Sequence, residues 1–182
     1  MAKAIGMIEY VTVSLGVEAA DTMVKAAEVD IIEAQVVCPG KYIALITGEL
    51  SAVKAAIEAA TRKCPEKVVD TFVLGNPHES IFPAIYGANE VENPKALGVL
   101  ETYSAASIIR AADSAAKTAE VSLIELRIAK GMCGKSYLFL TGEVAAVSAA
   151  IEKAKMGEQD SSMFLDSTVI ANPDKKIWKN IL

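Results

Sequence analysis

The chain is built from a tandem repeat. The segment Ala4–Glu9 (AIGMIE) returns as Ala96–Glu101 (ALGVLE), 92 residues later. The match resumes at Gly40 with an offset of 94, because the second copy carries two extra residues, and reaches Asp70 with an offset of 96. Self-similarity at a nearly fixed spacing indicates that one structural unit has been duplicated.

The duplication predicts two domains of similar length. We place the first at residues 1–88 and the second at residues 96–182. The stretch between them, 89–95, is polar and contains Pro94, as expected of a linker.

Both units predict the same order of elements. In the first unit we expect strands at Ala4–Glu9, Val29–Val37, Tyr42–Thr47 and Val68–Leu74, helices at Val17–Ala27 and Leu50–Arg62, and a short terminal helix after Asn76 and Pro77. This β-α-β-β-α-β order predicts an α+β fold, with an antiparallel sheet that carries its helices on one face.

Hydrophobic spacing predicts which side chains face the core. In the first helix these are Val17, Ala20, Val24 and Ala27, which recur at helical spacing. In the alternating strands they are Ile32, Ala34 and Val36 of the first unit and Ile124, Leu126 and Ile128 of the second.

Composition excludes two classes of protein. With 18 basic and 23 acidic residues the formal net charge is −5, which argues against a nucleic-acid binder that relies on a basic surface. The mean hydropathy of +0.33 is high. However, the longest stretch without a charged residue, Ser80–Asn89, is too short to span a membrane. We expect a soluble, cytoplasmic protein without a signal peptide, and the apolar excess favours a homo-oligomer.

The sequence shows no convincing catalytic site, so we expect a protein that is not an enzyme. The single histidine, His78, has Asp174 as its counterpart in the second unit. The carboxylates Glu9 and Glu33 do recur, as Glu101 and Glu125. We interpret this recurrence as a structural or interface role, and no glycine-rich phosphate loop is present.

The three cysteines are Cys38, Cys64 and Cys133, an odd number that argues against a disulfide framework. Cys38 opens the turn Cys38–Lys41 between two central strands. A lone cysteine is usually a small buried hydrophobe. One thiolate cannot hold zinc or an iron–sulfur cluster, which needs about four ligands. It could do so if symmetry brought several copies of the turn to one axis.

The repeated segments resemble bacterial microcompartment shell domains, and the resemblance covers both units. It is carried by Ala4–Glu9, Asp21–Ala27, the Gly40–Lys41 turn and Thr47–Glu49. It implies an unpermuted tandem of shell domains and a homotrimer that imitates a hexamer around one pore. It also implies lateral sheets formed with other shell proteins, in the shell of a bacterial microcompartment.

The turn Cys38–Lys41 is similar to that of the iron–sulfur tandem shell subfamily of propanediol-utilisation compartments. The similarity implies that Cys38 points into the pore and that three copies hold one [4Fe–4S] cluster per trimer. It implies a pore lined by Pro39, Gly40 and Lys41 and by Gly131, Met132, Cys133 and Gly134 of the second unit. Electron transfer across the shell or cluster delivery would follow, with encapsulated redox enzymes as partners.

Two departures from the family accompany the resemblance. Shell domains commonly carry an edge arginine where Asn76 and Asn172 stand at the tile edge, so we expect edge packing to depend on other residues, Lys25 and Lys117. The subfamily leads us to expect no cysteine at position 133. Cys133 could be a fourth ligand or a redox-sensitive neighbour of the pore, and we interpret it as a spectator.

Two other functions remain open at this point. The chain could be a metal-free tile whose pore passes a small metabolite. It could also be a duplicated small-molecule-binding regulatory protein, because fold alone does not determine function.

Overall fold

The computed structural model describes residues 4–159 and 161–182, which form two compact units. The first unit contains residues 4–77 and two short segments of the second repeat, 104–106 and 129–134. The second unit contains the other described residues, beginning at residue 78.

The first unit is built on a four-stranded antiparallel sheet with the strand order β2-β3-β1-β4. Its elements are β1 (Ala4–Tyr10), α1 (Val13–Ala26), β2 (Val29–Val37), β3 (Lys41–Gly48), α2 (Leu50–Lys63) and β4 (Val68–Leu74). Strand β1 is buried along its whole length because it lies between β3 and β4 and beneath α2. The predicted element order and fold class are confirmed.

The predicted buried face of α1 is partly wrong. Val17 and Val24 are 50% and 40% exposed, and the helix instead buries Gly16, Ala19, Ala20 and Met23. Small side chains on this face let the helix approach β3 closely: a Cβ built on Gly16 would lie 2.3 Å from Tyr42 Cβ. Close approach by glycine and alanine therefore outweighs the larger hydrophobicity of valine at this interface.

We predict that Gly16→Ala lowers the free energy of unfolding by about 2 kcal/mol, because the added methyl forces α1 away from β3. Gly157→Ala is the matched control. Gly157 lies in a helix, is exposed, and has none of the described residues within 4 Å of an added Cβ, so alanine there should stabilise by up to about 1 kcal/mol. Urea midpoints at one protein concentration measure both changes. A Gly16→Ala midpoint equal to that of the wild type would contradict the packing described for α1.

The second unit repeats the sheet with the order β6-β7-β5-β8. Its elements are α3 (Ile81–Ile85), β5 (Ala96–Thr102), α4 (Ala105–Thr118), β6 (Val121–Arg127), β7 (Ser136–Gly142), α5 (Val144–Gln159), β8 (Phe164–Ile170) and α6 (Lys175–Ile181). The first residues of α4 belong to the first unit.

The alternation predicted for β2 and β6 holds in only one of them. In the second unit Ile124, Leu126 and Ile128 are buried as predicted, and α3 packs against β6. In the first unit the pairing of β2 with β3 shifts register between Ile31 and Glu33, and Val36 is 55% exposed. The prediction that Val36 faces the core is therefore wrong.

The compact units differ from the predicted boundaries at residues 78–88, which the sequence placed in the first domain. This segment packs with the second repeat. The backbone N–H of His78 donates to Asp113 Oδ1 at 2.7 Å, and the side chain of Asn89 donates to the Leu123 carbonyl at 2.8 Å. The predicted short helix after Pro77 is α3, and it begins four residues later, at Ile81.

None of the helices in the described part of the chain is long and apolar enough to cross a membrane.

Candidate functional site

The Cys38 turn connects β2 to β3 at one end of the first sheet. The peptide bond between Cys38 and Pro39 is cis, and Gly40 adopts a φ of +104°, which favours glycine. The N–H of Gly40 donates to the Val37 carbonyl at 2.9 Å and closes the turn. Pro39 and Gly40 are exposed, and Cys38 is half-buried with a free thiol.

The turn of the second repeat, residues 129–134, lies against the Cys38 turn inside the first unit. The Cys38 N–H donates to the Ala129 carbonyl at 3.0 Å. Gly134 has a φ of +86°, and a Cβ on it would lie 3.1 Å from the Cys38 carbonyl oxygen. Both the backbone conformation and the close approach therefore favour glycine at position 134.

A depression of about 490 Å³ lies where the two turns meet. It is lined by Val36, Val37, Cys38, Pro39, Gly40, Lys130 and Gly131. The structure thus brings together the predicted ligand Cys38 and three of the residues predicted to line a pore, Pro39, Gly40 and Gly131. Met132 is half-buried and Cys133 is exposed, but neither lines this depression, and Gly134 is buried beneath the turn.

Lys41 lies apart from the depression. Its side chain is only 12% exposed and forms an ion pair with Glu9, whose side chain is completely buried. Glu9 also accepts a hydrogen bond from the Ala105 N–H at 2.9 Å, and Lys41 donates to the Gly134 carbonyl at 3.2 Å. Burial raises the pKa of the Glu9 carboxyl, whereas the hydrogen bond and the charge of Lys41 act in the opposite direction. The pair therefore anchors the base of the Cys38 turn.

Lys130 is a site residue that the sequence reasoning missed. Its ammonium group lies 2.8 Å from Glu33 Oε1, and its side chain lines the depression beside Cys38. The basic residue at the start of the longer second-repeat turn was visible in the sequence. Its contact with Glu33, 97 residues earlier in the chain, was not.

One chain supplies a single thiol ligand at this site. No group of three or more histidine, cysteine, aspartate or glutamate side chains within residues 4–159 and 161–182 could hold a metal ion. Cys64 follows the last residue of α2, and its thiol donates to Glu66 Oε1 at 2.9 Å. This hydrogen bond raises the pKa of the Cys64 thiol.

The predicted edge residues are on the surface. Lys25 lies 2.6 Å from Asp21 and is 72% exposed, and Lys117 lies 2.7 Å from Asp113 and is 42% exposed. Asn76 and Asn172 are also exposed. Both lysines thus form the ion pair expected at a spacing of four residues on a helix.

Comparison with known proteins identifies the family of both repeats. The model of the BMC domain matches residues 4–77 and 96–173. The bacterial microcompartment shell protein PduT of Citrobacter freundii is 35% identical over 100% of this chain and 99% of its own length. The carboxysome shell protein CsoS1 of Prochlorococcus marinus, strain SARG, is 37% identical over 92 residues, 49% of this chain and 89% of its own length.

Two solved structures share the fold over most of the chain. A microcompartment protein from Desulfitobacterium hafniense DCB is 42% identical, with a TM-score of 0.86 over 98% of this chain and 99% of that chain. The fused permuted hexameric shell protein MSM0275 of the RMM microcompartment is 25% identical, with a TM-score of 0.68 over 88% and 85% of the two chains. From the family match and the full-length similarity to a curated relative, the chain belongs to the BMC-domain family of bacterial microcompartment shell proteins and carries two BMC domains in tandem.

Proposed function

We propose that this shell protein assembles as a homotrimer, with its BMC domains around a central pore, and that three Cys38 thiolates hold one [4Fe–4S] cluster on the threefold axis. The coarser part of this function follows from the family: the chain is a structural component of a microcompartment shell and not an enzyme. The trimer, the cluster and the role of the cluster are the proposal.

The observation that carries the proposal is the place of the Cys38 thiol. Cys38 lines an open depression, on a turn in contact with Ala129 and Gly134, and no other cysteine of the described residues lines that depression. Thiolate is the protein ligand of iron–sulfur clusters. One thiolate per chain suits a cluster shared by three chains, in which three irons are held by protein and the fourth takes an exogenous ligand.

The residues around Cys38 fit such a group in charge and in access. The exposed Pro39 and Gly40 carry no side chain that would fill the depression with charge. Lys130 also lines the depression, and its ammonium group is paired with Glu33. The backbone N–H groups of Cys38 and Gly40 already donate to protein carbonyls, and Pro39 has no backbone N–H. These three residues therefore keep no unbound N–H group at the turn.

A bound [4Fe–4S] cluster would supply single-electron exchange at the pore. The chain's own contribution would be to hold three thiolates in one place and to separate the two faces of the shell around them. Electron transfer across the shell, or delivery of the cluster, is therefore the role we propose. The partners would be redox enzymes inside the compartment.

The proposal is tested by purification without oxygen, followed by measurement of iron, acid-labile sulfide and the electron paramagnetic resonance spectrum. We expect about four irons and four sulfides per trimer. A trimer that stays free of iron after anaerobic reconstitution would overturn the cluster and leave a tile whose pore passes a small metabolite.

We also propose that Lys25 joins tiles laterally in a sheet with other shell proteins. Its side chain is 72% exposed, and its ion pair with Asp21 is solvated on both sides. Lys117 is less available, because its partner Asp113 is only 8% exposed and also accepts from the His78 N–H.

We predict that Lys25→Ala reduces the formation of two-dimensional arrays by severalfold in electron micrographs, because it removes an exposed cation at the tile edge, and that the trimer stays intact. Lys117→Ala is the matched control and should have the smaller effect. If Lys25→Ala forms arrays as readily as the wild type, Lys25 does not join tiles and this proposal is wrong.

A further inference from the structure

A set of polar contacts joins the first repeat to two short segments of the second repeat inside the first unit. Glu9 Oε2 accepts from the Ala105 N–H at 2.9 Å, and Lys41 Nζ donates to the Gly134 carbonyl at 3.2 Å. Glu9 and Lys41 also pair with each other. The second repeat therefore supplies the donor and the acceptor that complete a buried ion pair of the first.

A second contact of this kind lies at β4. The hydroxyl of Ser104 donates to Asp70 Oδ2 at 2.6 Å. The other oxygen of this carboxylate, Oδ1, accepts from the Thr71 N–H at 2.8 Å. The residue just before α4 thus binds one oxygen of this carboxylate, and the N–H of the next residue in β4 binds the other.

Every member of these contacts has a counterpart in the other repeat. At the offsets of the duplication, Glu101, Lys135 and Asp166 correspond to Glu9, Lys41 and Asp70, and Thr12, Val13 and Gly40 correspond to Ser104, Ala105 and Gly134. The local geometry is conserved at one point that can be checked directly. Asp166 Oδ1 accepts from the Ser167 N–H at 2.8 Å, as Asp70 does from Thr71.

The counterpart set is incomplete within one chain. The hydroxyl oxygen of Thr12 is buried and has no hydrogen-bond partner among the described residues. Val13 is the first residue of α1, where backbone N–H groups have no partner inside the helix. Among the described residues, neither Glu101 nor Lys135 takes part in an ion pair. Their counterparts Glu9 and Lys41 pair with each other.

We infer that a second copy of this chain completes the set. Glu101 accepts from the N–H of Val13 of the partner subunit, Lys135 donates to the carbonyl of the partner's Gly40, and Asp166 accepts from the hydroxyl of the partner's Thr12. The buried hydroxyl of Thr12 is stabilised by an acceptor. The carboxylate of Glu101 is stabilised by the N–H groups at the start of the partner's α1.

This inference rests on the proposed trimer and assigns the residues that hold it together. Each chain makes the contact set once within itself and once with the next copy. Three chains that contact one another in this way form a closed ring. The contact at Gly40 also places the Cys38 turn of one copy beside Lys135 of the next. The same interface would therefore gather the Cys38 turns around one axis.

The first test introduces cysteine pairs into a chain whose three native cysteines are replaced by alanine. Thr12→Cys combined with Asp166→Cys should form disulfides between chains on mild oxidation, seen as covalent dimers and trimers on a non-reducing gel. Ser104→Cys combined with Asp70→Cys is the matched control, and its disulfide should form within one chain. Each single substitution should give monomers only.

The second test keeps the three native cysteines and replaces single glutamates with glutamine. Glu101→Gln should weaken trimer association about tenfold or more in sedimentation experiments, because the charge facing the partner is lost. Glu9→Gln should instead lower the thermal midpoint of the chain, because its contacts lie within one unit.

The outcomes separate this inference from the proposed function. A wild-type chain that sediments as a monomer at all concentrations would overturn the trimer and the inference together. A stable wild-type trimer that yields no cross-link between Thr12→Cys and Asp166→Cys while the control forms its disulfide would overturn the inference alone. If neither cysteine pair forms a disulfide, the Glu101→Gln variant decides. A variant that associates into trimers as tightly as the wild type would overturn the inference.

Discussion

Replacement of Cys38 with alanine is expected to remove all cluster iron from the anaerobically purified protein and to leave the trimer intact. Cys38 is the one cysteine that lines the depression between the two turns, within the part of the chain that the structure describes. Without it each chain contributes no ligand, and a cluster needs several thiolates at once. Alanine is preferred to serine because the hydroxyl oxygen of serine could itself bind iron.

Cys64→Ala and Cys133→Ala are the controls for this loss. The Cys64 thiol donates to Glu66, which raises its pKa and opposes the thiolate form that metals bind. Cys133 is exposed on the neighbouring turn and does not line the depression. Both variants should retain iron and sulfide at the wild-type ratio. Iron that survives Cys38→Ala, or is lost on Cys133→Ala instead, would show that the ligand has been assigned to the wrong residue.

Replacement of Glu158 with alanine is expected to lower the free energy of unfolding by about 3 kcal/mol. The side chain of Glu158 is 4% exposed and accepts from Arg110 Nε at 3.2 Å and from Nη2 at 2.9 Å. Because Arg110 is itself only 24% exposed, removal of Glu158 takes an ion pair and two hydrogen bonds from a largely buried guanidinium. The shift of the urea midpoint at a fixed protein concentration measures the change.

The first repeat offers a matched control with reversed charges. Glu18 corresponds to Arg110, and it pairs with Lys63 at 2.7 Å, so that α1 and α2 are joined as α4 and α5 are. Both members are exposed, at 51% and 42%, so Lys63→Ala should change stability by no more than about 0.5 kcal/mol. Equal effects of Lys63→Ala and Glu158→Ala would contradict the role given to burial here.

Much of the fold could be predicted because the sequence contains it twice. A pattern that was weak in one repeat could be checked in the other, and β4 begins and ends where the sequence predicted, at Val68 and Leu74. The buried face of α1 could not be predicted in this way. Hydrophobic spacing favoured Val17 and Val24, whereas packing against Tyr42 selects Gly16 for its lack of a side chain. That choice depends on how near two elements come, which periodicity does not report.

The candidate site was predicted in part for a related reason. The Cys38 turn is local in sequence, so its residues could be named from the sequence alone. The partners of Glu9 are far along the chain: Lys41 is 32 residues away and Ala105 is 96. The recurrence of Glu9 as Glu101 did indicate a structural role. However, only the three-dimensional structure shows that Glu9 has an ion pair and a backbone donor, whereas Glu101 has no ion pair among the described residues.

The central claim is that three chains share one cluster through Cys38, and native mass spectrometry without oxygen tests it most directly. It weighs the chains and the bound group in a single particle. We expect three chains plus the mass of one [4Fe–4S] cluster for the wild type, and three chains alone for Cys38→Ala. A reconstituted wild-type trimer without added mass, or a Cys38→Ala trimer that keeps the cluster mass, would contradict the account.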